Sequence, residues 1–202
     1  MCRQLFFVIL CGVLCRGQVL QFGTCPDVQT MEYFDLEEFL GQWHEIERFP
    51  IWYENLGHCA YKRLQYCGRR VEIEHVYVRD AIQFVLHLNT TYVPGADAVF
   101  VIQQSNIDPV GIPLKVISTD YTNYAVVYGC KNNESMGLKY ISAWILSRSR
   151  TLPTAILNQA RRELNAIPSA SVAYLEKVDQ SDTRCHYYWT AHVQAVEING
   201  QK

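Results

Sequence analysis

From Cys59 to Ser147 apolar and polar positions alternate in short runs rich in valine, isoleucine, tyrosine and threonine. Runs of this length and composition read as β-strands, and they predict strands over 59–66, 71–78, 82–91, 98–104, 113–119, 124–130 and 138–146. Cys67-Gly68, Arg79-Asp80, Pro94-Gly95, Asp108-Pro109, Thr122-Asn123 and Asn132-Asn133 interrupt the runs with the residue types that hairpin turns need. An earlier run over 43–49 brings the strands to eight, in a simple order that suits an up-and-down antiparallel meander. Eight such strands can close on themselves, which removes exposed edges and leaves an interior for packed side chains or one small ligand. Past the last strand, residues 153–167 carry Ile156, Leu157, Ala160 and Leu164 at helical spacing, with Arg161, Arg162 and Glu163 on the other side. The predicted fold class is therefore all-β: an eight-stranded up-and-down antiparallel β-barrel with one C-terminal α-helix packed outside. A last short strand is expected over 172–178, and residues 186–202 form a C-terminal tail for which the pattern predicts no structure.

The amino terminus reads differently. Met1-Cys2-Arg3-Gln4, an apolar run from Leu5 to Leu14 and the small-residue site Cys15-Arg16-Gly17 follow the order of a secretory signal peptide over residues 1–17. That apolar run is shorter than the roughly 20 residues of a membrane span, so a secreted, extracellular protein with one domain over 18–185 and no transmembrane segment is expected. The formal net charge is −2, and removal of Arg3 and Arg16 would take it to about −4. Such a chain has no basic field for nucleic acid. Five of the eight cysteines, Cys25, Cys59, Cys67, Cys130 and Cys185, lie beyond residue 17. Their wide spacing fits disulfides in an oxidising compartment rather than zinc, and an odd number leaves at least one thiol unpaired within the chain. Sequons at Asn89 and Asn133 agree with a secretory route and are expected on surface turns.

Signatures of several enzyme classes are missing. The chain contains no G-x-S-x-G, no H-E-x-x-H, no phosphate-binding glycine loop and no dinucleotide fingerprint. Its six histidines are scattered, and His44 and His75 fall in strands as surface or hydrogen-bonded residues rather than metal ligands. No metal and no cofactor are expected.

Three local patterns resemble the lipocalin family: Gly41 and Trp43 opening the first strand, Thr119-Asp120-Tyr121 between later strands, and Arg148 after the last one. The longer stretches around Trp43 and Trp144 resemble the apolipoprotein D group and its insect relatives in particular. The resemblance implies a barrel that carries a small hydrophobic ligand and is not an enzyme. It further implies that Trp43 and Arg148 stack at the closed end of the cup, so that their role is structural, and that the disulfides are Cys25 with Cys130 and Cys59 with Cys185.

Alternation along the last strand places Tyr140 and Trp144 on the face shared with Arg148, toward the interior. They offer an apolar wall with polar tips for a fatty acid, sterol, retinoid or bilin. With Cys59 turned outward to meet the C-terminal segment, Ala60, Lys62, Leu64 and Tyr66 turn inward, which adds Leu64 and Tyr66 to the ligand-binding candidates. A buried Lys62 would need the open mouth or an acidic partner. The family pattern places Glu74, Val76 and Val78 inward too, although this strand is apolar on both faces. Cys67 remains as the unpaired thiol, at a hairpin end. It fits a monomer or a Cys67-linked dimer better than thiol-dependent lipid isomerisation, which a prostaglandin D synthase performs with a free thiol inside such a barrel. A filled barrel whose loops or tail, including Trp189, bind another secreted protein is the remaining alternative.

Overall fold

A computed structural model describes residues 18–54, 57–67, 70–92, 98–106, 108–186 and 189–194. The signal-peptide segment over 1–17 lies outside the described residues. In chain order the elements are β1 (Val19–Phe22), α1 (Leu36–Phe39), β2 (Gly41–Arg48), β3 (His58–Cys67), β4 (Arg70–Arg79), β5 (Ile82–Thr91), β6 (Val99–Ile102), β7 (Leu114–Thr119), β8 (Tyr124–Asn133), β9 (Leu138–Ser147), α2 (Thr154–Asn165), β10 (Glu176–Lys177) and β11 (Trp189–Gln194). Strands β2 to β9 pair antiparallel in sequence order, and β9 returns to β2, which closes the eight-stranded barrel.

Side-chain alternation builds two cores from this one wall. Inward residues such as Trp43, Leu64, Ile73, Phe100, Val116 and Trp144 fill the barrel. Outward residues of β8 and β9, among them Val126, Ile141, Ala143 and Ile145, pack against Ala160 and Leu164 of α2. Strands covered on both faces are apolar on both faces, as β8 and β9 are. Helix α2 carries Ala160 and Leu164 at the spacing the sequence predicts, but its polar side is not simply solvated. Arg161 forms an ion pair with Glu47 of β2, and Glu163 accepts hydrogen bonds from the hydroxyls of Ser118 and Tyr124.

Two seams in the wall are sealed by the chain ends. Strand β9 pairs with β2 only from Trp144 to Ser147, and β1 covers its other half through Val19–Ile141 to Phe22–Leu138. Among the described residues β5 pairs with β6 only at Thr90 and Thr91, and the tail strand β11 runs parallel along Ile82 to His87. The tail for which the sequence predicted no structure thus supplies a strand. The strand expected over 172–178 is instead a 3₁₀ turn at Val172–Tyr174 followed by the two-residue pairing of β10 with β2.

The closed end gathers every signature residue. The Arg148 guanidinium lies 3.7 Å from the centroid of the Trp43 ring, and it donates to the carbonyls of Tyr121 (2.9 Å), Gln42 (3.1 Å) and Glu38 (2.7 Å). The Trp43 indole donates to Phe39 O at 2.8 Å, tying α1 to the same plug. Gly41 has φ +94, and a Cβ there would sit 3.3 Å from Arg148 Nη1, so both the backbone and the close approach favour glycine. Asp120 organises the facing turn by accepting from the backbone N–H groups of Thr122, Asn123 and Tyr124 and from the Asn123 amide. Both disulfides implied by the resemblance are formed, Cys25–Cys130 and Cys59–Cys185.

Arg148→Ala removes three charged hydrogen bonds and the ring contact, and is expected to lower stability by roughly 3 kcal/mol. Urea unfolding checks this, and a change within about 0.5 kcal/mol, the range of ordinary surface substitutions, would refute the plug. Burial alone would raise the Asp120 pKa, but the Asn123 side chain and the three backbone donors outweigh it and hold it below its ordinary value. A depressed carboxylate pKa gives stability that is present above the ordinary value and lost as pH falls through the folded one. Asp120→Asn should therefore destabilise the protein at neutral pH, with a deficit that shrinks in acid when Tm is followed against pH.

Candidate functional site

The barrel interior above the plug holds a small cavity of about 20 Å³, space for about one water molecule. Ile73, Leu88, Ile102 and Leu114 form its apolar wall, with Trp144 among them. Ile51 and Tyr53, from the segment joining β2 to β3, also line it. Among the polar groups at this cavity are Lys62, Ser142 and Asp108. Burial, the largest influence on the Asp108 carboxyl, raises its pKa against the lowering effect of backbone N–H donors from Gly111, Val110 and Ile112 and of Lys131.

Beside the cavity the cup contains a buried charged group. Glu45 is fully buried, and its carboxylate faces Lys62 Nζ at 2.7 Å and Arg48 Nη1 at 2.8 Å. Lys62 Nζ also lies 2.8 Å from His75 Nδ1 and 4.6 Å from the centroid of the Trp144 ring. Arg48 further donates to Gly57 O at 3.1 Å, which anchors the segment carrying Ile51 and Tyr53. Local strand structure explains how two neighbouring glutamates separate. A register shift between Glu45 and Glu47 leaves Glu45 inside, while Glu47 reaches Arg161 on the outer helix.

Trp144 and Leu64 face the interior, as the sequence implied, and Trp144 lines the cavity whereas Leu64 packs nearer the plug. Tyr140 is half-buried, its hydroxyl accepting from Asn133 Nδ2 at 3.2 Å, and it does not line the cavity. Tyr66 is 51% exposed and donates to Glu37 near the closed end, because the strand has passed the barrel rim by that point. Glu74, Val76 and Val78 face outward, contrary to the family-based expectation. Lys62 pairs with His75 and Leu64 with Ile73, so the inward residues of β4 are Ile73, His75 and Tyr77. Outside, Glu74 pairs with Arg63, and Val78 packs on the Cys59–Cys185 bridge. His75 and its partners Glu45 and Arg48 were missed as site residues. The missed signal is arithmetic: where Cys67 pairs with Arg70, antiparallel register pairs Lys62 with His75.

Cys67 ends β3 opposite Arg70, and its side chain lies outside the described residues. Asn89 is exposed but sits within β5 opposite Glu72 rather than on a turn, whereas Asn133 ends β8 as expected. Among the described residues no group of three or more His, Cys, Asp and Glu side chains is placed to hold a metal ion.

Removing one member of a buried ion pair strands the other, a loss of about 3–5 kcal/mol. Glu45→Gln and Lys62→Met are each expected to destabilise on this scale, and the double variant by less than the sum. A double-mutant cycle from urea unfolding checks the coupling, and simple additivity would refute it.

The geometry agrees with three comparisons. Residues 41–179 match the model of the "Lipocalin / cytosolic fatty-acid binding protein family". Apolipoprotein D of Cavia porcellus is 33% identical over 155 residues, which cover 74% of this chain and 80% of that protein. The bilin-binding protein of Pieris brassicae is 25% identical over 186 residues, covering 90% and 97%. The solved structure of insecticyanin from the tobacco hornworm Manduca sexta superposes with a TM-score of 0.75 at 28% identity, covering 87% of this chain and 96% of that one. A family match over most of the chain, on a barrel plugged by the Trp43–Arg148 pair, makes this chain a member of the lipocalin family.

Proposed function

We propose that this lipocalin is a secreted extracellular carrier of a small hydrophobic molecule, held inside the cup against Trp144. The observation that carries the reading is the cavity whose apolar wall is formed by Trp144, Ile73, Leu88 and Leu114, above an end closed by Arg148 and Trp43. The relative from Pieris brassicae, by its name, binds a bilin, which supports the bilin among the fatty acid, sterol, retinoid and bilin candidates. Ile51 and Tyr53 line the cavity from the segment joining β2 to β3 rather than from a barrel strand. Burying about 300 Å² of ligand at about 25 cal/mol per Å² yields on the order of 7 kcal/mol before association costs, enough for useful binding.

Cys67 belongs to assembly or to a free thiol in this reading. Its backbone lies five residues beyond Lys62 toward the closed end, about 17 Å along an extended strand, so lipid isomerisation at a thiol is not favoured. The exposed Asn89 suits glycosylation. The small cavity volume favours one second reading, a filled barrel that acts through its outer surface, where Trp189 is 84% exposed.

Native mass spectrometry of the secreted chain separates these readings. A small apolar adduct is expected in the wild type and in Cys67→Ser, and is expected to be lost in Trp144→Ala. A dimer that disappears in Cys67→Ser would assign that thiol to assembly. A wild-type barrel that takes up none of the fatty acids, sterols, retinoids or bilins offered to it would overturn the carrier reading in favour of the outer surface.

A further inference from the structure

We propose that Trp144 and Ser142 form an acceptor-binding subsite within the cup. Its ligand is an apolar molecule bearing one carbonyl or carboxylate oxygen, which receives hydrogen bonds from the Trp144 indole N–H and the Ser142 hydroxyl beside the Lys62 ammonium. This inference rests on the carrier reading and specifies the polar end of its ligand.

Ser142 and Trp144 are two positions apart on β9, so both side chains point into the barrel. They are 1% and 3% exposed and both line the cavity. Neither Ser142 Oγ nor Trp144 Nε1 has a hydrogen-bond partner among the described residues. Two unsatisfied polar atoms at one cavity are uncommon, because a buried donor without a partner is unfavourable. An indole nitrogen only donates, an ammonium only donates, and a hydroxyl can donate. Their common complement is an oxygen acceptor.

The surrounding residues preserve this arrangement. Gly129 lies directly across from Ser142 in the β8–β9 ladder. A Cβ on Gly129 would come within 2.7 Å of Ser142 Oγ and of Ile112 Cγ2, and within 2.9 Å of Pro113 O. The missing side chain is therefore what leaves the hydroxyl its place in the cavity. Lys62 sits over the Trp144 ring, held there by Glu45 and His75, and brings its charge to the same cavity. Asp108 lines the same cavity, and an anionic head is accordingly favoured near Lys62 and disfavoured near Asp108. One cavity volume of about 20 Å³ suits a single oxygen, whether of a water before loading or of the ligand afterwards.

The test is calorimetric titration of the full secreted chain with dodecanoic acid, 2-tridecanone and tridecane. Wild type is expected to prefer the acid and the ketone to the hydrocarbon. Ser142→Ala and Trp144→Phe are each expected to weaken acid and ketone binding roughly tenfold while leaving the hydrocarbon unchanged or tighter. In wild type, tighter binding of the acid than of the ketone assigns the head as a carboxylate, and equal binding of the two assigns it as a carbonyl. Ser142→Ala deletes one atom and keeps the strand, so it remains informative if thermal unfolding shows Trp144→Phe to be misfolded. Equal weakening of all three probes, or of none, overturns the subsite while the carrier stands. Failure of wild type to bind any of the three overturns the subsite, and the carrier reading falls with it only if sterols, retinoids and bilins are refused as well.

Discussion

The Arg148 guanidinium, stacked on Trp43 and bound to three carbonyls, decides the interior of this protein. It sits one residue beyond β9, and its partner lies two residues past the positive-φ Gly41 of β2. For both side chains to meet, β2 and β9 must pair in one register, with Trp43 and Arg148 on the same side of the wall. Alternation then assigns every residue behind them: Leu146, Trp144 and Ser142 inward on β9, and Ile145, Ala143 and Ile141 outward beneath α2. A slip of one residue would turn the apolar inner face to the helix and leave Arg148 with neither ring nor carbonyls. The closed end is thus a register device as well as a plug, and the position of the cavity follows from it.

Against this apolar background the Glu45, Arg48, Lys62 and His75 group is expensive to desolvate, and stability alone does not account for it. Its members come from β2, β3 and β4, neighbours in the wall. Charges that match only when three strands are correctly aligned penalise misaligned alternatives more strongly than interchangeable aliphatic side chains do. The group also determines what kind of interior this is. Lys62 over the Trp144 ring brings a positive end into a cup otherwise walled by isoleucine and leucine, so the space is amphipathic rather than oily throughout.

How far this could be read from the sequence differed from strand to strand for physical reasons. On β9 the parity was legible because Arg148 marks one face, and on β3 because Cys59 must reach Cys185 outside the barrel. Strand β4 offered no such marker: Val71 and Ile73 face in while Val76 and Val78 face out, so hydrophobicity carries no parity. Its information lay in cross-strand charge, Arg63 with Glu74 and Gln65 beside Glu72, which needs an outer face. Tyr66 was misplaced because alternation continues past the rim, where inward no longer means enclosed. The pairing of β1 and β11 could not be read at all, since strands of four and six residues carry too short a pattern to specify a partner.

Those two terminal strands complete the reasoning about closure. A barrel removes sheet edges only where each strand is paired along its whole length. Here β2 leaves the open-end half of β9 unpaired, and β6 leaves the first half of β5 unpaired. The chain seals both from outside its eight-stranded order, with β1 on β9 and β11 on β5. The first seal lies next to the Cys25–Cys130 bridge, and the second begins where Trp189 N donates to Ala81 O. Covalent attachment holds the amino-terminal segment to β8, and the Cys59–Cys185 bridge holds the chain to β3 four residues before β11 begins. The two disulfides therefore do more than restrict the unfolded chain: each keeps a short strand close to the half-paired edge that it must cover, and neither strand is long enough to find that edge by pairing alone.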